Sequence, residues 1–226
     1  MPIFSTTEER KHMMKMEVNL DLMAFVETNI LPRYTAFGPS HGLAHVQRVI
    51  ASSLELARST GADINMAYTV AAYHDLGMSG PRAIHHITGG KILAADARLK
   101  KWFSPKQISI MKEAVEDHRA SASHEPRSIY GKIVAEADRD LDPDVVFRRA
   151  VQYGLEHNAE FNQEQQWLRF NHHMEEKYSA KGYIKLWIPN SPNEKKLKCV
   201  RDIIADKAQL KQIFNRIYEE ETLAKH

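Results

Sequence analysis

His74 and Asp75 stand side by side where an apolar run, Val70-Ala71-Ala72-Tyr73, stops at Leu76-Gly77. His45 lies upstream in His-Val-Gln-Arg-Val, and Asp138 lies downstream in Val-Ala-Glu-Ala-Asp-Arg. Two imidazoles and two carboxylates, each beside apolar helical sequence, have the make-up of a divalent-metal site inside a helical bundle. Packed helices can each present one or two ligands from their inward faces. A mixed nitrogen and oxygen set suits manganese, iron, cobalt, nickel or zinc better than calcium, which prefers oxygen alone. A metal so held turns bound water into a nucleophile, so the set points to hydrolysis. A His-Asp dipeptide by itself is common; the order and placement of all four residues carry the reading.

The elements that must bring these residues together read as helices. Residues 15–31 form an amphipathic segment closed by Pro32. A second segment follows Pro39-Ser40, with Val46, Val49, Ile50 and Leu54 on one face and His45 beside them. Asp63 caps a third, in which Met66, Ala67, Val70, Ala71 and His74 follow helical spacing, so His74 points inward. Asp75 lies about 100 degrees further round. Both side chains reach one ion only at a helix end, where Gly77 lets the chain turn away. Ser104-Pro105-Lys106-Gln107 is a capping box with proline at the first helical position. Its helix carries Ile108, Met111, Val115 and His118 on one side. A helix over about 127–140 brings Val134, Ala135 and Asp138 to a common face. Asp140 competes with Asp138, because Ile133 and Ala137 lie on its own face.

Asp142-Pro143 opens a further helix. Ser191-Pro192-Asn193-Glu194 reads as a second capping box, opening a final helix through Leu197, Val200, Ile204, Leu210, Phe214 and Ile217. Between them, the stretch from Gly182 to Pro189 alternates and reads as extended. The whole predicts an all-α bundle with irregular joints, a single domain over residues 1–226. Its core spans about 20–150, and 151–226 form a helical extension packed on that core.

A chain of 226 residues can build one sizeable core. With 31 basic and 29 acidic residues and no aromatic-rich basic motif, the composition argues against a nucleic-acid or membrane-surface partner. No apolar stretch is long enough to span a bilayer. Cys199 is the single cysteine, which excludes an intrachain disulfide. The opening Met-Pro-Ile-Phe-Ser-Thr-Thr-Glu-Glu-Arg lacks the basic end and apolar centre of a secretory signal, so a cytoplasmic protein is expected. The compositional excess is histidine, at twelve residues.

On His45 in His-x-x-Arg-Val, His74-Asp75 in Ala-Tyr-His-Asp-Leu-Gly, and Asp138 in Ala-Asp-Arg, residues 38–150 resemble the HD-domain superfamily of metal-dependent phosphohydrolases. Glu-Asp-His118-Arg-Ala-Ser and Glu-Pro-Arg127-Ser-Ile-Tyr-Gly-Lys-Ile-Val resemble stretches common in its small members. The resemblance implies the metal ligands His45, His74, Asp75 and Asp138. It favours Asp138 over Asp140 because the family pattern sets the ligand directly after the small residue. Some members hold two metals, and by that resemblance His85, in a His-x-x-x-Gly stretch, and His118 are candidates for a second ion. The Gly-Tyr-Pro motif of one two-metal group is missing after His118. One divalent transition metal is therefore expected, and two are compatible.

The implied reaction is hydrolysis of a phosphate ester or anhydride in a nucleotide or related small metabolite. Asp75 would hold the ion beside the attacking water, and His118 or His86 would protonate the leaving alcohol. Arg119 and Arg127 flank the His118 stretch; with Lys132 they are candidates to grip phosphate oxygens. His41, one turn before His45, would orient the first ligand or touch substrate. Two alternatives stand beside this. One is a module that senses a nucleotide without cleaving it. The other is a di-iron oxygenase of the same fold, which requires His85 and His118 as ligands. The last helix can also serve self-association, and aromatic residues such as Trp167 and Phe170 suit a core better than a base-stacking roof.

Overall fold

The computed structural model describes residues 17–121 and 124–224. The leader reading on residues 1–10, and the first two residues of the 15–31 segment, lie outside them. Among the described residues there are ten α-helices joined by 3-10 turns, and no strand. They are α1 (Leu20–Asn29), α2 (Leu43–Thr60), α3 (Ile64–Tyr73), α4 (His85–Ala95), α5 (Pro105–Asp117), α6 (Ile129–Ala137), α7 (Pro143–His157), α8 (Gln163–Tyr178), α9 (Pro192–Ala205) and α10 (Lys207–Leu223). The chain divides into two compact units, Met1–Asp138 and Arg139–His226. Among the described residues, no helix is long and apolar enough to cross a membrane.

In the first unit, α3 is the axis. Asp63 starts it by accepting the amides of Asn65 and Met66. From Met66 to Tyr73 every residue is buried. A helix apolar all round is stable only when surrounded, and α1, α2, α4, α5 and α6 all pack against α3. α2 buries His45, Val46, Val49, Ser53, Leu56 and Ala57 and closes at Gly61, whose φ of 70° is the left-handed cap that favours glycine. α5 opens with the expected box: Ser104 accepts the Gln107 amide, and the Gln107 side chain reaches back. α6 is shorter than expected, running from a Ser128 cap to Asp138.

α4 is a helix that the sequence does not advertise, since Gly89-Gly90 interrupts it. A glycine in a helix interior costs about 1 kcal/mol against alanine. Here the pair is needed for close approach. A Cβ on Gly89 would lie 2.9 Å from the His74 carbonyl oxygen, and one on Gly90 would lie 2.8 Å from Glu116 Cγ.

In the second unit, Phe147 of α7, Trp167 and Phe170 of α8, and Phe214 of α10 form one aromatic core, with Phe170 and Phe214 centroids 5.2 Å apart. Asn162 and Gln165 cap α8 reciprocally. Two expectations are corrected. The final helix is two helices: Asp206 interrupts it, and its carboxylate accepts the amides of Ala208 and Gln209 to start α10. The box at Ser191 does not form either. The Ser191 hydroxyl caps nothing, and the Glu194 carboxylate instead accepts from the Asn190 amide. Residues 182–189 form no strand.

Candidate metal centre

α3 ends at Tyr73, and the functional pair sits on its end. His74 keeps helical dihedrals and is fully buried. Its Nδ1 lies 2.7 Å from the Ala71 carbonyl, which only accepts, so the proton is on Nδ1 and the neutral ring offers Nε2 as a lone pair. Asp75, at φ −102° and ψ 5°, leaves the helix and swings its carboxylate to the same side. A 3-10 turn, Leu76–Ser79, follows. The expectation that Gly77 serves to turn the chain is corrected, because it is not among the described residues with positive φ. Its glycine is required by proximity: a Cβ there would lie 1.9 Å from the His85 carbonyl oxygen and 2.6 Å from the Gly89 nitrogen. Thus the end of α3 rests directly on the backbone of α4.

Four expected ligands converge. His45 Nε2 lies 3.1 Å from His74 Nε2. Asp75 Oδ2 is 3.4 Å from each of those nitrogens. Asp138 Oδ1, at the end of α6, is 3.3 Å from His45 and 3.8 Å from His74. Asp138 contacts both imidazoles, and Asp140 accepts the Asp142 amide. A transition ion with bonds of about 2.1 Å sets neighbouring ligand atoms about 3.0–3.4 Å apart, close to the spacings found. The residues fit such an ion.

A second set shares Asp75. His85 and His118 also direct Nδ1 at main-chain carbonyls, of Arg82 at 2.7 Å and Val115 at 2.6 Å. Their Nε2 atoms then face each other across 3.2 Å, and each lies 3.6 Å from Asp75 Oδ1. Two lone pairs in contact repel unless a proton or cation lies between them. Groups able to hold a metal are accordingly His45–His74–Asp138, Asp75–His85–His118 and His41–His45–Asp75. In the last, His41 Nδ1 bonds Asp75 Oδ2 at 2.7 Å.

The electrostatics follow from this crowding. Burial opposes charge on Asp75, but the electrostatic pull of His74 and the surrounding imidazoles of His118, His41 and His45 hold its carboxyl far below the usual carboxylate range. Asp138 is likewise lowered against burial, chiefly by His45 and His74. For His45, burial works against the proton, but Asp138 and Asp75 prevail and raise it; His74 is raised against burial by Asp75. Burial lowers His85 and His86.

Of the residues expected around substrate, two are committed elsewhere. Arg127 clamps buried Asp117 through Nε and Nη2 and also bonds Glu116, so it ties the α5–α6 joint together instead of waiting for phosphate. Lys132 pairs with Glu125. Arg119 gives one Nη to the Ala83 carbonyl. His86 packs edge-on against His85 at 5.6 Å, and its buried Nδ1 has no hydrogen-bond partner.

Two residues that sequence reasoning left unassigned join the site. Arg48, three residues after His45, donates to the Ala137 and Asp138 carbonyls and so fastens the Asp138 end of α6 to α2. Its Nη2 also faces His45 Nδ1 at 3.3 Å. A guanidinium only donates, so in this contact the neutral His45 ring carries its proton on Nε2, toward the carboxylates, and ligation through Nε2 requires the other neutral tautomer. The Tyr34 hydroxyl accepts from the Asp75 main-chain amide. Arg48 sits in the His-x-x-Arg-Val motif, which was a signal; Tyr34 had none.

Residues 42–141 match the family model of the HD domain. That stretch is an HD domain. It runs from the start of α2 to just beyond Asp138 and so contains both donor sets, somewhat inside the 38–150 expected. The fold is shared with a crystal structure of a predicted HD superfamily hydrolase from an uncultured Thermotogales bacterium, at a TM-score of 0.50 and 17% identity, covering 94% of this chain and 98% of that one. At that identity the likeness is one of fold, and that fold is all-α. No curated protein matches the chain. HD domains bind divalent metals, and this one has the histidine and aspartate clusters that can hold them.

Proposed function

We propose that the HD domain is a metal-dependent phosphohydrolase that cleaves a phosphate ester or anhydride of a small phosphorylated metabolite, with nucleotides as the substrate class. His45, His74, Asp75 and Asp138 are its metal ligands. The observation that carries this is that His45 and His74 lie 3.1 Å apart and each of the two carboxylates comes within 3.8 Å of both imidazoles, one ring held from behind by a main-chain carbonyl. When held in that shell, a divalent ion would supply acidified water and polarise a phosphoryl oxygen.

The chain's own groups supply the rest. Asp75 presents Oδ2 to His45 and His74 and Oδ1 to His85 and His118, so one carboxylate serves both donor sets. His41 holds that Oδ2 in place. His86 has a free Nδ1 and, through burial, a weakened hold on its proton; with His118 it is the candidate to protonate the leaving oxygen. Arg119, beside His118, keeps guanidinium N–H groups for phosphate oxygens.

The second donor set supports a second reading, in which two irons drive oxygenation. The deciding experiment is a metal-supplemented screen of phosphorylated metabolites, with oxygen uptake followed in parallel and Asp75→Ala as control. Phosphate release by wild type and none by the variant is expected. Oxygen uptake without phosphate release would favour the iron reading. Nucleotide binding without either would make the domain a sensor.

A further inference from the structure

Tyr34 is fully buried in a 3-10 turn, Leu31–Ala36, that precedes α2. Its hydroxyl donates to the Ala72 carbonyl at 2.9 Å and accepts from the Asp75 amide at 3.3 Å. Those two groups are orphaned by the end of α3. Had the helix continued, the Asp75 amide would have met the Ala71 carbonyl. That carbonyl instead receives the His74 ring at 2.7 Å. A buried amide and a buried carbonyl without partners would each carry a desolvation penalty. One phenol hydroxyl satisfies both, and so permits the break that turns Asp75 out of the helix while His74 keeps its anchor.

We propose that Tyr34 is a positioning residue of the metal centre: by holding the Ala72 carbonyl and the Asp75 amide, its hydroxyl directs the Asp75 carboxylate and leaves the Ala71 carbonyl to orient His74. The inference rests on the metal reading above. The same turn segment leads into His41, which bonds the Asp75 carboxylate itself, so Asp75 is held at main chain and side chain by residues seven apart in sequence. Tyr73 provides the contrast. It is equally buried, but its hydroxyl bonds Asp96 at 2.8 Å and touches nothing in the centre.

The experiment uses cobalt(II) as probe on metal-free full-length protein. Wild type, Tyr34→Phe and Tyr73→Phe are compared by calorimetric titration, by the cobalt ligand-field spectrum and by thermal midpoint. Loss of an outer partner of a metal ligand typically weakens binding about 10–100-fold. That loss, with an altered cobalt spectrum, is expected for Tyr34→Phe. Tyr73→Phe should lower the midpoint yet keep wild-type affinity and spectrum. Wild-type affinity in Tyr34→Phe, or an equal loss in Tyr73→Phe, overturns the inference. Amide exchange at Asp75 in the metal-free wild type tests it without any variant: a protected amide is expected, and fast exchange overturns it. A wild type that takes up no cobalt removes the metal centre as well, whereas a binding wild type with an unaffected Tyr34→Phe removes only the role of Tyr34.

Discussion

A residue is legible in a sequence when its type announces its chemistry. His45, His74, Asp75 and Asp138 could be picked out from the order and placement of imidazoles and carboxylates beside apolar helical sequence, and the structure sets each carboxylate against both imidazoles. Tyr34 was not legible as part of the centre, and Arg48 only through its place in His-x-x-Arg-Val, because both act on main-chain groups, and any residue supplies those. Arg127 shows the converse: an arginine close to His118 reads as a phosphate grip, but the buried Asp117 ten residues earlier claims it. The residue scale also sets a pH dependence. The carboxylates raise His45 above the ordinary imidazole value of about 6.5. A raised group contributes stability to the metal-free fold below its unfolded pKa, and that contribution is lost as pH rises through the folded value. Ligation needs the neutral ring, so metal competes with this proton. Cobalt affinity should therefore strengthen as pH rises past the imidazole range, with proton release seen as a dependence of the binding heat on buffer ionisation. An affinity flat with pH and no proton release would contradict the assigned role of His45.

At the scale of elements, caps and apolar faces were readable. Asp63, Ser104 and Asp142 start helices where their side chains can accept the first free amides. What was not readable is contact between backbones. α4 contains a glycine pair that reads as a break, but the tight seating of α4 on the end of α3 and on α5 outweighs its poor propensity. Gly77 belongs to the same seam. Gly77→Ala would press a methyl into the His85 carbonyl and should destabilise the fold by about 1–3 kcal/mol. Because the seam joins the His74–Asp75 turn to the helix bearing His85, metal affinity should fall with it. Gly38→Ala, where an added Cβ meets nothing within 4 Å, is the matched control and should change neither. Thermal melts with and without cobalt check both; a Gly77→Ala protein that melts and binds like wild type would show that the seam is slack.

At the scale of the whole molecule, fold class was visible in the near absence of strand alternation and the succession of apolar helical faces. The all-α outcome follows, with a buried axial helix in the first unit and an aromatic core in the second. The division at Asp138 and the split of the last helix at Asp206 were less visible, since a single capping aspartate in a charged stretch resembles any surface residue. A ligand that binds only the folded chain stabilises it by mass action, by about 2.7 kcal/mol at one hundred times its dissociation constant. Saturating manganese should therefore raise the thermal midpoint of wild type, chelation should reverse the shift, and Asp75→Ala should show none. The central claim is that the His45, His74, Asp75 and Asp138 shell holds the ion on which phosphate release depends. Its most direct test is a manganese titration of metal-free protein, with bound metal and phosphate release from an active substrate followed in one vessel. The two curves should rise together in wild type, and both should stay at baseline in Asp75→Ala; phosphate released by the metal-free protein, or by the variant, would contradict the account.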